Sequence, residues 1–158
     1  MRIRTRTWLR QHPRTRRFLS RTGSLDVDEF TLARGVAAGL FIALTPTVGV
    51  QTLLMLGVSM VLRANFPAAF IVSWISNPLT VAPLYYLFYQ LGGYLMRFLP
   101  VRFESLSGIE AELAVDTYAL ILGSLAVAVP LALSGYFVFL YVWRRFDLHL
   151  PRRVEVPE

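Results

Sequence analysis

Two long apolar stretches of this chain are each interrupted near the middle by a polar residue followed by proline. The stretches cover residues 35–62 and 64–96 and contain no charged side chain. The interruptions are Thr45-Pro46 and Asn77-Pro78. Proline lacks an amide donor and clashes with the carbonyl four residues earlier, so each pair is expected to end or kink a helix. Within a bilayer, other protein or trapped water must satisfy the freed backbone groups. The pattern predicts an all-α integral membrane protein with proline-broken helices, some of them re-entrant.

The composition supports a membrane location. Of the 158 residues, 55% are hydrophobic and only 16% are charged, whereas soluble domains carry about 25% charged residues. The alternative, a water-soluble helical domain, does not require so apolar a chain. Because the sequence contains no cysteine, disulfides, thiol catalysis and cysteine-ligated metals are excluded. We expect neither a metal nor another cofactor.

All sixteen basic residues are arginine, and half of them lie in the first 21 residues. A cationic segment beside an apolar stretch is typical of a cytoplasmic flank that contacts anionic lipid. Four arginines are candidate ligands for lipid headgroups: Arg14, Arg16, Arg17 and Arg63. A nucleic-acid-binding arm is the alternative, but only Trp8 and Phe18 could stack on bases there. We therefore expect no nucleic acid partner.

The charge pattern divides the chain into three parts. Residues 1–25 form a basic cytoplasmic juxtamembrane segment, residues 26–146 a helical membrane domain, and residues 147–158 a basic and polar tail. Within the domain, a third apolar stretch at 117–143 is typical of a conventional membrane span. Pro130 near its centre predicts a kink.

The number of membrane crossings follows from the two basic ends. Arginines beside both termini place both ends in the cytoplasm, which requires an even number of crossings. With three apolar stretches, one of the two broken ones is expected to enter and leave on the same side. We favour 35–62 as this re-entrant hairpin, because each half is shorter than the roughly 20 residues of a full span. Arg63 is then cytoplasmic and segment 97–116 lies outside, while a re-entrant 64–96 is the alternative.

Local signals predict where helices begin and where they pack. Asp26 is expected to be the N-cap of the first helix, with Glu29 three residues later in capping-box spacing. Gly35 and Gly39 have GxxxG spacing, which predicts that another helix approaches closely there. Pro67 predicts that the next helix begins beside it.

The sequence shows no catalytic constellation. Both histidines, His12 and His149, lie in the terminal segments, and every acidic residue lies outside the apolar stretches. We therefore do not expect an enzyme. Uncharged polar side chains lie in or beside the two breaks instead. They either line a small polar cavity or satisfy the backbone groups that proline frees, and both interpretations stand.

Four motifs in order resemble a bacterial membrane family known as domain of unknown function twenty sixty-two. They are a G-x-F block from Gly39, a P-x-x-G-x-Q block from Pro46, an R-x-N block from Arg63 and an N-P-x-T block from Asn77. The resemblance covers about residues 28–145. The family has no established activity, so the resemblance implies the membrane class and the positions of interest. With Thr45 added from the first break, the candidate solute-binding residues are Thr45, Pro46, Gly49, Gln51, Asn65, Asn77, Pro78 and Thr80.

These patterns together predict a protein of the bacterial inner membrane with both termini in the cytoplasm. We expect it to bind or transport a small or lipid-derived solute at the two breaks. The alternative is an accessory module that binds a partner protein or anionic lipid and transports nothing. We expect the helices to pack through small residues around a polar centre that a second copy completes. The expected partners are therefore membrane lipids and further copies of the chain in a homo-oligomer.

Overall fold

The computed structural model describes Thr22 and residues 27–99 and 108–147. Five α-helices and no β-strand occur in these residues, which confirms the all-α prediction for them. The helices are α1 (Glu29–Ala43), α2 (Gln51–Leu62), α3 (Phe66–Ser73), α4 (Val81–Met96) and α5 (Ile109–Arg145). The candidate headgroup ligands Arg14, Arg16 and Arg17 lie outside the described residues.

Helix α1 begins after Asp28, and the prediction of Asp26 as its N-cap is wrong. The Asp28 carboxylate accepts hydrogen bonds from the backbone amides of Phe30 and Thr31 at 3.0 and 2.9 Å. It also accepts a bond from the Thr31 hydroxyl. Burial raises the pKa of Asp28, but these hydrogen bonds and the charge of Arg34 outweigh it, so the pKa lies below the ordinary value of 3.8. The cap is therefore an ionised carboxylate at the positive end of the helix dipole.

Helix α4 packs against the first half of the long helix α5, backbone to backbone. A Cβ atom added to Gly92 would lie 1.7 Å from the Ala119 carbonyl oxygen, and one added to Gly123 would lie 1.8 Å from the Phe88 carbonyl oxygen. Residue numbers fall along one helix as they rise along the other, so α4 and α5 are antiparallel. Glycine is required at both positions because any side chain would separate the helices.

Helix α1 packs against the second half of α5, also antiparallel. A Cβ on Gly135 would lie 2.3 Å from Cδ1 of Leu40. At the end of the pair, Arg144 Nε lies 3.2 Å from Glu29 Oε2. Helices α1 and α4 therefore follow one another along α5 and run in the same direction.

The close approach predicted at the GxxxG pair is confirmed. A Cβ on Gly35 would lie 2.6 Å from the Asn65 carbonyl oxygen, and one on Gly39 would lie 2.5 Å from that of Ala69. The start of α3 therefore lies directly on α1. Because the contacts advance together along both helices, α1 and α3 run in the same direction.

Helix α2 returns alongside α1 and forms a hairpin with it. The Arg34 guanidinium, one turn into α1, donates a hydrogen bond of 2.7 Å to the carbonyl of Leu62, the last residue of α2. The ends of the hairpin thus lie side by side. Ile42 of α1, Met55 of α2 and Ala69 of α3 meet in one buried cluster, which packs the three helices together.

Two helices begin at other residues than the apolar stretches predict. Helix α2 begins at Gln51 and not directly after the break at Pro46, because Gly49 has a φ of +90°, which is not a helical conformation. Helix α5 begins at Ile109, so the acidic residues of 110–116 belong to its first turns and not to a separate loop or surface helix.

Among the helices of the described residues, α5 alone is long and apolar enough to cross a membrane. Its 37 residues continue through Pro130 and span about 55 Å at about 1.5 Å per residue. Helices α1 to α4 contain between 8 and 16 residues each.

Candidate functional site: the joint at the middle of the long helix

Both sequence breaks lie at the same level along α5. Leu44, just after α1, packs with Phe88 of α4 and Ala128 of α5 in a second buried cluster. The antiparallel pairing of α4 and α5 places Val81, the first residue of α4, at the level of Pro130. Segments 44–50 and 74–80 therefore lie at the level of the part of α5 that contains Pro130. We call these three pieces the joint.

In the first break, segment 44–50, side chains of the segment itself bind a carbonyl in the last turn of α1. The hydroxyls of Thr45 and Thr47 both donate to the carbonyl of Ile42, at 3.0 and 3.2 Å. Gly49 then reverses the chain with its positive φ, a conformation that glycine adopts without strain. Thr45, Pro46 and Gly49 are thus accounted for by the shape of the turn.

The second break is a capped turn directly before α4, which begins at Val81 behind Thr80; Thr80 itself makes no side-chain capping bond to the helix. The side-chain oxygen of Asn77 accepts hydrogen bonds from the amides of Leu79 and Thr80 at 2.9 and 3.2 Å. In return, the Asn77 amide donates to the Thr80 hydroxyl oxygen at 2.9 Å, and this hydroxyl donates to the Ile75 carbonyl at 2.8 Å. Pro78 occupies the first position after the cap, where no amide is needed. The N-P-x-T block is therefore a reciprocal cap of the capping-box type that leads into α4.

Asn65 ties the start of α3 to α1. Its side-chain oxygen accepts a bond of 2.9 Å from the Ala68 amide, and its own amide donates to the Thr31 carbonyl at 2.9 Å. Asn65 is buried. Arg63, two residues earlier, ends α2 in the left-handed conformation with a φ of 50° and is exposed. The R-x-N block thus builds the turn between α2 and α3, and the role of Arg63 as a headgroup ligand stays a prediction.

Gln51 differs from the other candidates. It is the first residue of α2 and is half-buried. Within the described part of the chain its side chain has no hydrogen-bond partner. The residue before it, Val50, has no side chain that could cap the helix. The amides of Gln51, Thr52 and Leu53 accordingly lack an acceptor among the described residues, as is normal for an uncapped helix start.

The structure thus separates the eight candidate site residues into two groups. Seven shape or cap the turns at the ends of helices: Thr45, Pro46, Gly49, Asn65, Asn77, Pro78 and Thr80. Only Gln51 combines a polar side chain available to a ligand with free backbone donors beside it. Of the eight, seven lie in or next to the joint and Asn65 lies at the other end of α3. Gln51 is therefore the candidate whose hydrogen-bonding groups are available to a ligand.

Sequence reasoning overlooked Arg34. Its guanidinium binds the carbonyls of Leu62 and Phe30 at 2.7 and 3.1 Å and the Thr31 hydroxyl at 3.3 Å. One arginine thereby closes the C-terminal end of α2 with a charge that suits the negative end of a helix dipole. The sequence shows only a single charge directly before a long uncharged stretch, and that pattern indicates the boundary of the stretch but not a bond to α2.

A second polar group lies on α4 towards the other end of the molecule. The Tyr89 hydroxyl donates to Asp116 Oδ1 at 3.0 Å, and the Gln90 side-chain amide donates to the Tyr86 hydroxyl at 2.9 Å. All four side chains are exposed. In the ranges that the structure covers, no three residues of the histidine, cysteine, aspartate and glutamate types gather closely enough to hold a metal ion.

Comparison with known families gives one match. The sequence profile of the bacterial family DUF2062, described as an uncharacterised protein conserved in bacteria, matches residues 13–149. No curated protein and no solved structure matches the chain. The matched region contains all five helices and both breaks.

Proposed function

The chain belongs to the bacterial family DUF2062, and from that premise we propose that it is a multi-pass protein of the bacterial inner membrane that binds a small or lipid-derived solute at the joint. One observation carries the proposal. The second break satisfies its own hydrogen-bonding groups, whereas the first leaves Gln51 and the uncapped start of α2 without partners in the described chain. The two interruptions differ in this respect, and the difference supports the first break as the site.

The arrangement of the helices supports the membrane topology that we propose. The α1–α2 hairpin has both of its ends at the level of Arg34 and turns back at the joint. Helices α3 and α4 run one after the other past the joint, and α5 returns along the full length. In a bilayer this gives one re-entrant hairpin, one broken span and one continuous span. Two crossings leave both termini on the cytoplasmic side, in keeping with their arginines.

The surface of the described residues is suited to lipid. Large apolar side chains are exposed on α2, α3 and α5, among them Leu53, Val61, Ile71 and Phe137. Side chains of this kind are unfavourable in water over so large an area and favourable against acyl chains. This supports a lipid-facing exterior around a polar joint.

The chemistry of the open break favours a solute with acceptor oxygens. Free amides at the start of a helix attract negative charge or polarised oxygen, and a glutamine side chain can both donate and accept. In surroundings of low polarity each of these hydrogen bonds is stronger than in water. Carboxylates, phosphates and lipid headgroups are the classes that fit. Movement of the solute across the membrane would follow if the hairpin shifts against α4, where the Val48 amide interacts with the Tyr85 hydroxyl.

The second candidate function is an accessory module that binds anionic lipid and transports nothing. The observation that favours it is Arg63, an exposed arginine held in a left-handed turn where α2 ends. On the proposed topology this side chain lies at the cytoplasmic surface, where an arginine attracts anionic lipid with about 1 kcal/mol. Under this function Arg63, and not Gln51, is the residue whose loss abolishes binding.

Native mass spectrometry of the protein purified in mild detergent tests the two functions against each other. We expect the wild-type chain to carry a bound solute or lipid that Gln51→Ala loses and Arg63→Ala retains. The matched control is Gln90→Ala, which removes a glutamine side chain away from the joint. Loss of the bound mass in Arg63→Ala alone would support the accessory function. Retention by Gln51→Ala would contradict the proposed site.

A further inference from the structure

The tip of the α1–α2 hairpin exposes irregular backbone at the level of the joint. On the membrane placement proposed above, this level is the middle of the apolar stretch 117–143 of α5 and therefore the middle of the bilayer. Val48, Gly49 and Val50 are all exposed there. Irregular backbone does not occur against lipid at this depth, since lipid offers no hydrogen bonds. Something other than lipid must cover the hairpin tip, which we define as segment 45–53.

The surroundings of the tip argue against water as the cover. The tip and the neighbouring break carry exposed apolar side chains beside the amides of Gln51, Thr52 and Leu53, which have no acceptor among the described residues: Val48 is 66% exposed, Leu53 70%, and Leu79 85%. A cavity with such walls holds water poorly, because a buried water needs several polar partners. Apolar walls around backbone donors are better suited to a protein surface that presents an acceptor.

The chain itself carries such a surface on α5. Pro130 has no amide, so the carbonyl of Ala126 lacks the donor that the next turn of a helix normally supplies. Both residues are exposed. A carbonyl without its helix partner is as unfavourable in lipid as an amide without one. The 126–130 turn therefore offers the kind of acceptor that the hairpin tip lacks.

The two surfaces also lie at the same level. Leu44 at the base of the tip contacts Ala128 of α5, and the positions of Ala126 and Pro130 are within a turn of it. Copies of one chain with the same orientation in a membrane are related by an axis along the membrane normal. Groups that pair between such copies must therefore lie at equal depth. A donor-bearing tip and an acceptor-bearing turn at one depth meet this condition.

We propose that a second copy of the chain covers the hairpin tip, with the tip of one copy packed against the 126–130 turn of α5 in the other. The contact is either exchanged in a dimer or continued around a closed ring. One carbonyl cannot accept from three amides, so the remaining donors and the Gln51 side chain are enclosed between the copies. The solute site proposed above is then incomplete in a single chain. This inference rests on the proposed membrane placement.

Disulfide crosslinking tests the contact directly, because the natural chain has no cysteine. A full-length chain with Val48→Cys is coexpressed with a full-length chain of different size that carries Ala126→Cys, and membranes are treated with a mild oxidant. Two cysteines form a disulfide only when their Cα atoms lie within about 7 Å. We expect a mixed dimer that disappears on reduction. In the matched control the second chain carries Val138→Cys, an exposed position of the same helix about 18 Å further along, and we expect no mixed dimer.

Three outcomes overturn the inference. The first is a yield of mixed dimer no greater with Ala126→Cys than with Val138→Cys. The second is rapid labelling of Val48→Cys by a membrane-impermeant maleimide, which would show that water covers the tip. The third is release of the protein from membranes by alkaline carbonate, and this alone also removes the proposed function. If the protein stays in the membrane and gains no crosslink, the contact is wrong while the proposed function stands.

Discussion

The two breaks of this chain look alike in sequence and are built differently. At the second break, Asn77 and Thr80 satisfy each other and the backbone on both sides of the interruption. At the first break, Thr45 and Thr47 bind the carbonyl of Ile42 in the last turn of α1, and the amides that begin α2 have no acceptor among the residues that the structure describes. Polar side chains in an apolar stretch therefore do not by themselves indicate a ligand site. A ligand site is better indicated by the backbone groups that still lack hydrogen-bond partners after those side chains have made their bonds.

The position of the oxygen relative to the helix start explains the difference. In N-P-x-T the side-chain oxygen of Asn77 comes first and accepts from the amides of the turn that leads into α4, which is the geometry of a cap. In T-P-T-V-G-V-Q the hydroxyls follow a helix, where they reach carbonyls, and the residue before α2 is Val50, which has no oxygen. At the first break, side chains therefore bind a carbonyl at the end of α1 but no amide at the start of α2.

Removal of the Asn77 cap at the second break should have the largest effect on stability. Asn77→Ala leaves the amide of Leu79 without its acceptor and that of Thr80 with only the backbone carbonyl of residue 77, and it should lower the free energy of unfolding by about 1–2 kcal/mol, the usual value of a cap. Thermal unfolding in detergent measures it. Asn77→Asp is the control, because an aspartate oxygen can accept the same bonds. A loss of equal size in both variants would show that the amide group, and not the cap, matters there.

The threonines of the first break should act as substitutes for one another. Both hydroxyls bind the Ile42 carbonyl, so Thr45→Val or Thr47→Val alone should cost less than about 0.5 kcal/mol. The double variant leaves that carbonyl without a hydroxyl and should cost about 1 kcal/mol. A thermal unfolding series of the three variants checks this non-additivity. Equal and additive losses would contradict the shared bond.

A cap supplied to α2 should make the first break resemble the second. Val50→Asn places a side-chain oxygen before the free amides and should raise the free energy of unfolding by less than about 1 kcal/mol. The gain is limited because Val50 has a ψ of 0°, whereas a cap residue usually has an extended backbone. The bound mass seen by native mass spectrometry should decrease at the same time. Val50→Leu is the control, and unchanged binding in Val50→Asn would show that the free amides do not contact the solute.

The smallest expected effect is the loss of stability at low pH that protonation of Asp28 causes. The folded-state pKa of Asp28 lies below 3.8, for the reasons given above, so its stabilising effect is complete above pH 3.8 and is lost as the pH falls through the folded pKa. The unfolding temperature of the wild-type chain should therefore fall more between pH 5 and pH 3 than that of Asp28→Asn, which retains a capping oxygen at every pH. Identical pH profiles would contradict an ionised cap.

Sequence reasoning was able to predict the helical class, the close packing at Gly35 and Gly39, and the helix start beside Pro67, because each depends on local patterns. It placed the first cap two residues too early, since Asp26 and Asp28 both precede a helical pattern, and it is Asp28 whose carboxylate accepts from the first amides and from the Thr31 hydroxyl. Such a bond depends on where the helix begins, which patterns locate only to within a few residues.

The individual roles of the polar residues were less accessible. The spacing of Asn77 and Thr80 does contain the signature of a reciprocal cap, so their structural role could have been read from the sequence. The special position of Gln51 could not, because it depends on α2 beginning at that residue behind an uncapped Val50. The bond from Arg34 to the end of α2 joins residues 28 positions apart and follows from packing alone.

The central claim is that Gln51 serves a ligand while Asn77 serves the fold. Thermal unfolding of Gln51→Ala, measured beside Asn77→Ala in the same detergent, tests it most directly. We predict that Gln51→Ala changes the free energy of unfolding of the ligand-free protein by less than about 0.5 kcal/mol, as expected for a side chain without intramolecular bonds, while Asn77→Ala loses about 1–2 kcal/mol. Equal losses in the two variants would contradict the account.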